Sequence, residues 1–236
     1  MEVVSLLDLT TRVKNISTNN TKVIFIRINP YPLNDTIKLI YDELLDKSWI
    51  NIYKKDVIRE SVEERANKTI EAIHKKLKLC EDDNIASEAG EYIVSILGKQ
   101  ALSKNLNYIE LPLAELWKEK VTGNPGFDFH SESTENKLIF GEAKYQCGKN
   151  AYNSSLTQIK KFIITKKDLS EIVDLDNLVS DSAIINFKNN KKGYAASFSS
   201  TKIKDEDLIK NILINPSFID LLVYDELILV AVDVNE

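Results

Sequence analysis

Cysteine, histidine and glycine are scarce in this chain: two, two and seven among 236 residues. Cys80 and Cys147 lie far apart, so they form neither a disulfide framework nor a paired metal or redox motif. With so few histidines, a zinc site built from Cys and His is not expected either. Long hydrophobic runs are also missing. The longest, such as residues 227–232, fall well short of the ~20 residues a membrane span requires. The N-terminus has no basic segment leading into an apolar stretch, so no secretory signal is expected, and reduced thiols in a cytoplasmic protein are. No G-x-S-x-G, P-loop, G-x-G-x-x-G or H-E-x-x-H is present, which sets aside the common hydrolase, nucleotide-binding and zinc-protease schemes. A net charge of −5 excludes a strongly basic nucleic-acid coat.

What is there is a globular composition, 43% apolar and 28% charged, enough for one large domain or two small ones with a real core. Charge is uneven along the chain. From Glu142 to Lys210 there are 12 lysines against nine acids, a net of +3, and the rest carries −8. An anionic partner is therefore expected on the second half.

The apolar, β-branched run KVIFIRI (22–28) reads as a buried strand. Helical periodicity follows over residues 34–47 and 56–79. The acidic run 81–84 is the natural boundary between an N-terminal α/β region, 1–80, and a second domain, 81–236. In that domain, helices are expected over 86–102, 114–120, 151–166 and 205–213. Strands are expected over 126–130, 138–145, 182–187 and 227–234, with a polar hairpin loop at 131–136. The outcome is a mixed α/β sheet flanked by helices.

Residues 123–146, GNPGFDFHSESTENKLIFGEAKYQ, hold four of the residues that matter. Glu142 and Lys144 are two apart on one strand and so share a face. A hairpin would set Asp128 beside Glu142. Phe127 and Phe129 turn the other way, into the core. An otherwise apolar strand has no structural need of a carboxylate and an ammonium. Two adjacent carboxylates repel, and a hard divalent cation relieves that repulsion; Mg²⁺ is content with one or two carboxylates, waters and a phosphate oxygen. A lysine there can orient water and steady charge on phosphorus. These groups suit metal-assisted phosphodiester hydrolysis. The plainer alternatives are that Asp128 is a turn residue and that Glu142 and Lys144 form an exposed pair on an edge strand. His130 shares the strand face of Asp128 and could reach the same site, or be structural.

The pattern Pro125-Gly126-Phe127-Asp128 followed by Glu142-x-Lys144 resembles the PD-(D/E)xK nuclease superfamily, with its restriction-endonuclease-like fold. That resemblance covers about 100 residues. It implies a metal-ligating glutamate on the preceding helix, where Glu91 is favoured and Glu88 stands close behind. It also implies a DNA-lining helix carrying Gln158-x-x-x-Phe162, similar to the Q-x-x-x-Y of the RecB-like branch. EAGEYIVSIL, LPLAELWKEK, GNPGFDFH and IFGEAKYQ together are similar to the DUF1837 family, the HamA-like nuclease subunits of the Hachiman anti-phage defence system. What this implies is a Mg²⁺-dependent (or Mn²⁺-dependent) deoxyribonuclease restrained by a HamB-like superfamily 2 helicase partner. Asp128, Glu142 and Lys144 would be catalytic; Asp128, Glu142 and Glu91 or Glu88 would hold the metal. Gln158, Lys149, Lys160 and Lys161 would meet DNA, with Lys166, Lys167, Lys188, Lys191 and Lys192 able to neutralise phosphates without reading bases. The rival readings are a non-catalytic DNA- or partner-binding module on the same fold, and a stand-alone homodimeric restriction endonuclease or resolvase.

Overall fold

The computed structural model describes residues 1–80, 85–118 and 126–234. In chain order the elements are β1 (Glu2–Asp8), α1 (Thr10–Val13), β2 (Lys22–Asn29), α2 (Leu33–Leu45), a 3₁₀ turn (Ser48–Ile52), α3 (Asp56–Leu77), α4 (Ser87–Leu106), β3 (Ile109–Glu110), α5 (Ala114–Trp117), β4 (Phe129–Glu132) and β5 (Leu138–Lys144). Then come α6 (Tyr152–Ile164), α7 (Lys167–Ser170), α8 (Ile172–Leu175), α9 (Asp181–Lys188), β6 (Lys192–Ser199), α10 (Asp205–Leu213), α11 (Pro216–Leu221) and β7 (Glu226–Val232). No described helix is long and apolar enough to cross a membrane.

The strands form one seven-stranded mixed sheet in the order β1-β2-β7-β6-β5-β4-β3. β2, β7, β6 and β5 run parallel; β1 closes one edge and β4 and β3 the other, all antiparallel. A parallel sheet is covered on both faces, so its strands are apolar along their whole length. β7 is buried at every residue. Alternate residues feed two cores. Ile24, Ile26, Ile228 and Val230 join the layer of α2, α3 and α4. Val23, Phe25, Leu227 and Leu229 join the layer of α6, α10 and α11.

Residues 1–80 are therefore not set apart from the rest. β2 is paired with β7 over seven positions, and α2 and α3 share a core with α4. The boundary expected at 81–84 corresponds to no break in the sheet, and those four residues lie outside the described ones. The reason is that β2 is as apolar on both faces as β7 and is satisfied only in the interior of the sheet.

Two further expectations are corrected. Residues 182–187 form helix α9, not a strand. Ser180 caps it by accepting from Ala183 N, and Ala183 is its buried residue. The strand is β6, in which Gly193, Ala195 and Ser197 alternate with Tyr194, Ala196 and Phe198 between the two cores. Its small side chains let α4 approach closely: a Cβ on Gly98 would come within 2.3 Å of Ser197 Oγ. The other correction is that β4 begins at Phe129, so Asp128 precedes the strand instead of lying within it.

Candidate active site

β5 delivers Glu142 and Lys144 to the carboxyl end of the parallel strands, and Lys144 Nζ lies 2.9 Å from Glu142 Oε1. Asp128 is anchored beside them. Its N–H donates to Gly141 O at 2.9 Å, and its Oδ2 accepts from Ala143 N at 2.7 Å. From the next layer α4 adds Glu91, whose Oε1 is 3.3 Å from Lys144 Nζ. The height of α4 is set by Gly90, where a Cβ would stand 2.3 Å from the ring of Tyr145. On the other side α6 fixes the strand through Ser155, whose hydroxyl donates to Glu142 O at 2.9 Å.

Electrostatics divide the cluster. Glu142 is only 2% exposed, and its carboxyl is pushed well above the usual range, first by burial and then by Asp128. Asp128 is raised to about 6, mainly by desolvation, against the pull of Lys144 and the Ala143 N–H. Burial acts to lower Lys144, but the surrounding carboxylates of Glu142, Asp128 and Glu91 win, and it is raised. Glu142 Oε2 is buried and meets no hydrogen-bond donor among the described residues. A cleft of about 210 Å³ adjoins Asp128, walled by Glu91, Tyr92 and Ser95 of α4, Lys76 of α3, Leu113 and Glu115.

This donor set fits a small hard cation held by two carboxylates, with waters completing the shell. Asp128 and Glu142 are the residues that would hold it. A three-carboxylate cage is not formed: among the described residues no three His, Cys, Asp or Glu side chains gather as ligands. Glu91 pairs instead with Lys144, because a half-exposed side chain on α4 finds the ammonium first. The Glu88 side chain, Gly123 and Pro125 lie outside the described residues.

His130 is elsewhere. It is fully buried, and its Nε2 lies 2.7 Å from Glu171 Oε2. Glu171 Oε1 accepts from Lys118 Nζ at 2.6 Å and from Phe127 N at 2.9 Å. Lys118 Nζ also donates to Phe127 O at 2.6 Å. The residue before Asp128 is thus clamped on both backbone groups. Glu171 carried no sequence signal, since it lies between two short helices without a motif, and Lys118 stood within LPLAELWKEK with nothing to single it out. Ser155 did carry one: a hydroxyl on the apolar face marked by Leu156, Ile159 and Phe162.

Of the DNA-facing residues, Gln158 is half-buried in the middle of α6, and Phe162 belongs to the core, 5.1 Å from the ring of Phe127. Lys160 is paired with Asp220, and Lys192 with Asp168 at 2.5 Å beneath Tyr224, so neither stands ready for a phosphate. Lys149 and Lys161 are exposed.

The fold and site together define a mixed α/β protein with a buried two-carboxylate and lysine centre at the carboxyl end of its sheet. Comparison with models of protein families, with curated proteins and with solved structures gives no match.

Proposed function

We propose that the chain is a metal-dependent deoxyribonuclease of the PD-(D/E)xK, restriction-endonuclease-like kind, with its centre at Asp128, Glu142 and Lys144. The observation that carries this reading is the unpartnered Glu142 Oε2, buried next to a second carboxylate that raises its pKa further. Leaving a buried carboxylate oxygen without a donor costs stability, and a structural role gives no return for that cost.

Mg²⁺ or Mn²⁺, when bound, would polarise a phosphate oxygen and acidify a water. Asp128 and Glu142 bind as carboxylates, and because both are raised the cation competes with protons there. Lys144 keeps its proton, because three carboxylates surround it. It therefore serves as a donor and a positive charge, orienting water and steadying the negative charge that builds on phosphorus, and not as a general base. Ala143 N–H and the clamp on Phe127 fix Asp128 before substrate arrives. A role in anti-phage defence, with a helicase partner releasing the activity, follows from the resemblance and is part of the proposal.

The test is cleavage of supercoiled plasmid with Mg²⁺ and with EDTA, by the wild type and by Glu142→Ala and Lys144→Ala, with and without the helicase of a neighbouring gene and ATP. Cleavage lost with EDTA and with both substitutions is expected. Cleavage that survives the substitutions means another site; none by the wild type under any condition points to a binding module.

A further inference from the structure

α3 reaches the cleft beside Asp128 from the N-terminal part of the chain, which neither the Asp128 and Glu142-x-Lys144 pattern nor the family resemblance covers. Ile70, Ile73 and Leu77 bury one side of α3 in the core it shares with Ala89 and Ile93 of α4 and with Leu113 and Leu116. Lys76 stands one position before Leu77 and three after Ile73, at the margin of that buried side. It is half-buried, and a lysine so placed lays its stem on apolar neighbours while its ammonium stays at the water.

Three elements place that ammonium. Lys76 Nζ lies 5.2 Å from the centroid of the Tyr92 ring on α4, within range of a cation–π contact. The Tyr92 hydroxyl donates to Glu115 Oε2 of α5 at 2.7 Å, which fixes the ring. Lys76, Tyr92 and Glu115 all line the cleft, as do Glu91 and Asp128. Lys76 is the one basic residue among the described residues that line it. A phosphodiester that comes to Asp128 through this cleft passes Glu91 and Glu115, and their carboxylates repel it. Lys144 answers Glu91 at 3.3 Å; a further positive charge on the cleft wall favours the entry of an anion.

We propose that Lys76 binds a phosphate of the DNA strand being cut, one neighbouring the phosphodiester at Asp128 and Glu142. This rests on the nuclease reading and extends its site to α3, so that residues 1–80 supply a substrate contact as well as part of the sheet. An ammonium meets a phosphate as a point charge and reads no base, so the contact adds affinity without sequence preference. It does not touch the reacting atoms. Loss of Lys76 therefore falls on the binding of DNA and not on the rate of the bound complex.

The experiment is fluorescence-anisotropy titration of the full chain with a fluorescein-labelled DNA duplex in EDTA, so that nothing is cut, over a series of salt concentrations. Lys76→Gln should lower the log–log salt slope by about one and weaken binding about fivefold at low salt, while Lys76→Arg binds like the wild type. Lys68→Ala removes the same charge from the same helix, at a lysine paired with Glu64, and should also bind like the wild type. DNA should slow acetylation of Lys76 in the wild-type chain relative to Lys68; this readout needs no substitution. In plasmid cleavage with Mg²⁺, Lys76→Gln should raise KM about fivefold and leave kcat within about twofold. A slope unchanged in a folded Lys76→Gln, an equal loss in Lys68→Ala, equal protection of the two lysines, a fall in kcat alone, or no DNA binding by the wild type would overturn the proposal. Failure of the nuclease reading is seen independently, as plasmid left uncut by a wild type that still binds DNA; a slope lowered by Lys76→Gln then keeps the phosphate contact, on a binding module.

Discussion

Glu142 and Glu171 are both buried, 2% and 5% exposed, and each has a lysine nitrogen within 3 Å, at 2.9 and 2.6 Å. Their electrostatics are opposite. Glu171 satisfies both oxygens, with Lys118, the Phe127 N–H and His130, and although burial works against it these partners hold its carboxyl below the usual range. Glu142 has one oxygen without a donor and a second carboxylate beside it, and its pKa is raised. In the first the carboxylate is fully partnered and holds the fold, although His130 Nδ1 behind it is buried and meets no partner among the described residues. The second leaves one oxygen open, and on the proposed reading a cation would complete it. The two are joined through residues 127 and 128, so the closed cluster positions one half of the open one.

The largest expected effect separates them by stability. Removing one partner of a satisfied buried ion pair costs about 3–5 kcal/mol, so Glu171→Gln should lower the melting temperature by roughly 10 °C. Glu142→Gln removes the repulsion with Asp128 and should cost less than about 1 kcal/mol or raise stability. Equal losses in a thermal melt would erase the distinction. Activity should sort the other way: Glu142→Gln is expected to lower Mg²⁺-dependent plasmid cleavage by more than about 100-fold while the chain stays folded.

A smaller effect sharpens the comparison through pH. Asp128 is raised to about 6 and Glu142 is also raised, so the folded chain holds protons that the unfolded chain releases near pH 4. Their contribution therefore favours the folded state in mild acid and is lost as pH climbs through about 6. Glu171, lowered, contributes above the unfolded carboxylate pKa, and that contribution is lost as pH falls through its folded value. Melting temperature should thus fall between pH 5 and pH 7.5 in the wild type, and less in Glu142→Gln. Cleavage should rise over the same interval, since the carboxylates must be bare to bind a cation.

Much of this was readable in advance. The β-branched run of β2, the periodicity of α3 and α4, and Asp128 with Glu142-x-Lys144 all carried their own signals, and Glu142 and Lys144 do point together. β6 carried none: in KGYAASFS the small Gly193, Ala195 and Ser197 share one face, and their smallness serves the approach of α4, a tertiary reason invisible along the chain. The neighbouring stretch 182–187 looked like a strand because Ile184, Ile185 and Phe187 are strand-formers, but a Ser180 cap and one buried residue, Ala183, are enough for a helix packed on one side. Strand alternation placed His130 with Asp128, and failed because Asp128 sits before β4, where alternation does not hold. Glu171 reaches the site from 41 residues beyond His130, with no local trace.

The smallest expected effects lie on the basic surface. Lys161→Ala should lower the salt dependence of DNA binding by about one unit in the log–log slope, with little sequence preference. Lys160→Ala should do less, since Lys160 is already paired with Asp220, and should change stability by no more than about 1 kcal/mol.

The account stands most directly on whether the open cluster takes a cation. Calorimetric titration of the chain with Mn²⁺ at pH 6.5, in two buffers of different ionisation enthalpy, measures this without DNA. One site is predicted, with heats that differ between buffers because protons leave Asp128 and Glu142 on binding, and with binding lost in Glu142→Gln but kept in Lys149→Ala. No binding at millimolar Mn²⁺, or binding unchanged in Glu142→Gln, would contradict it.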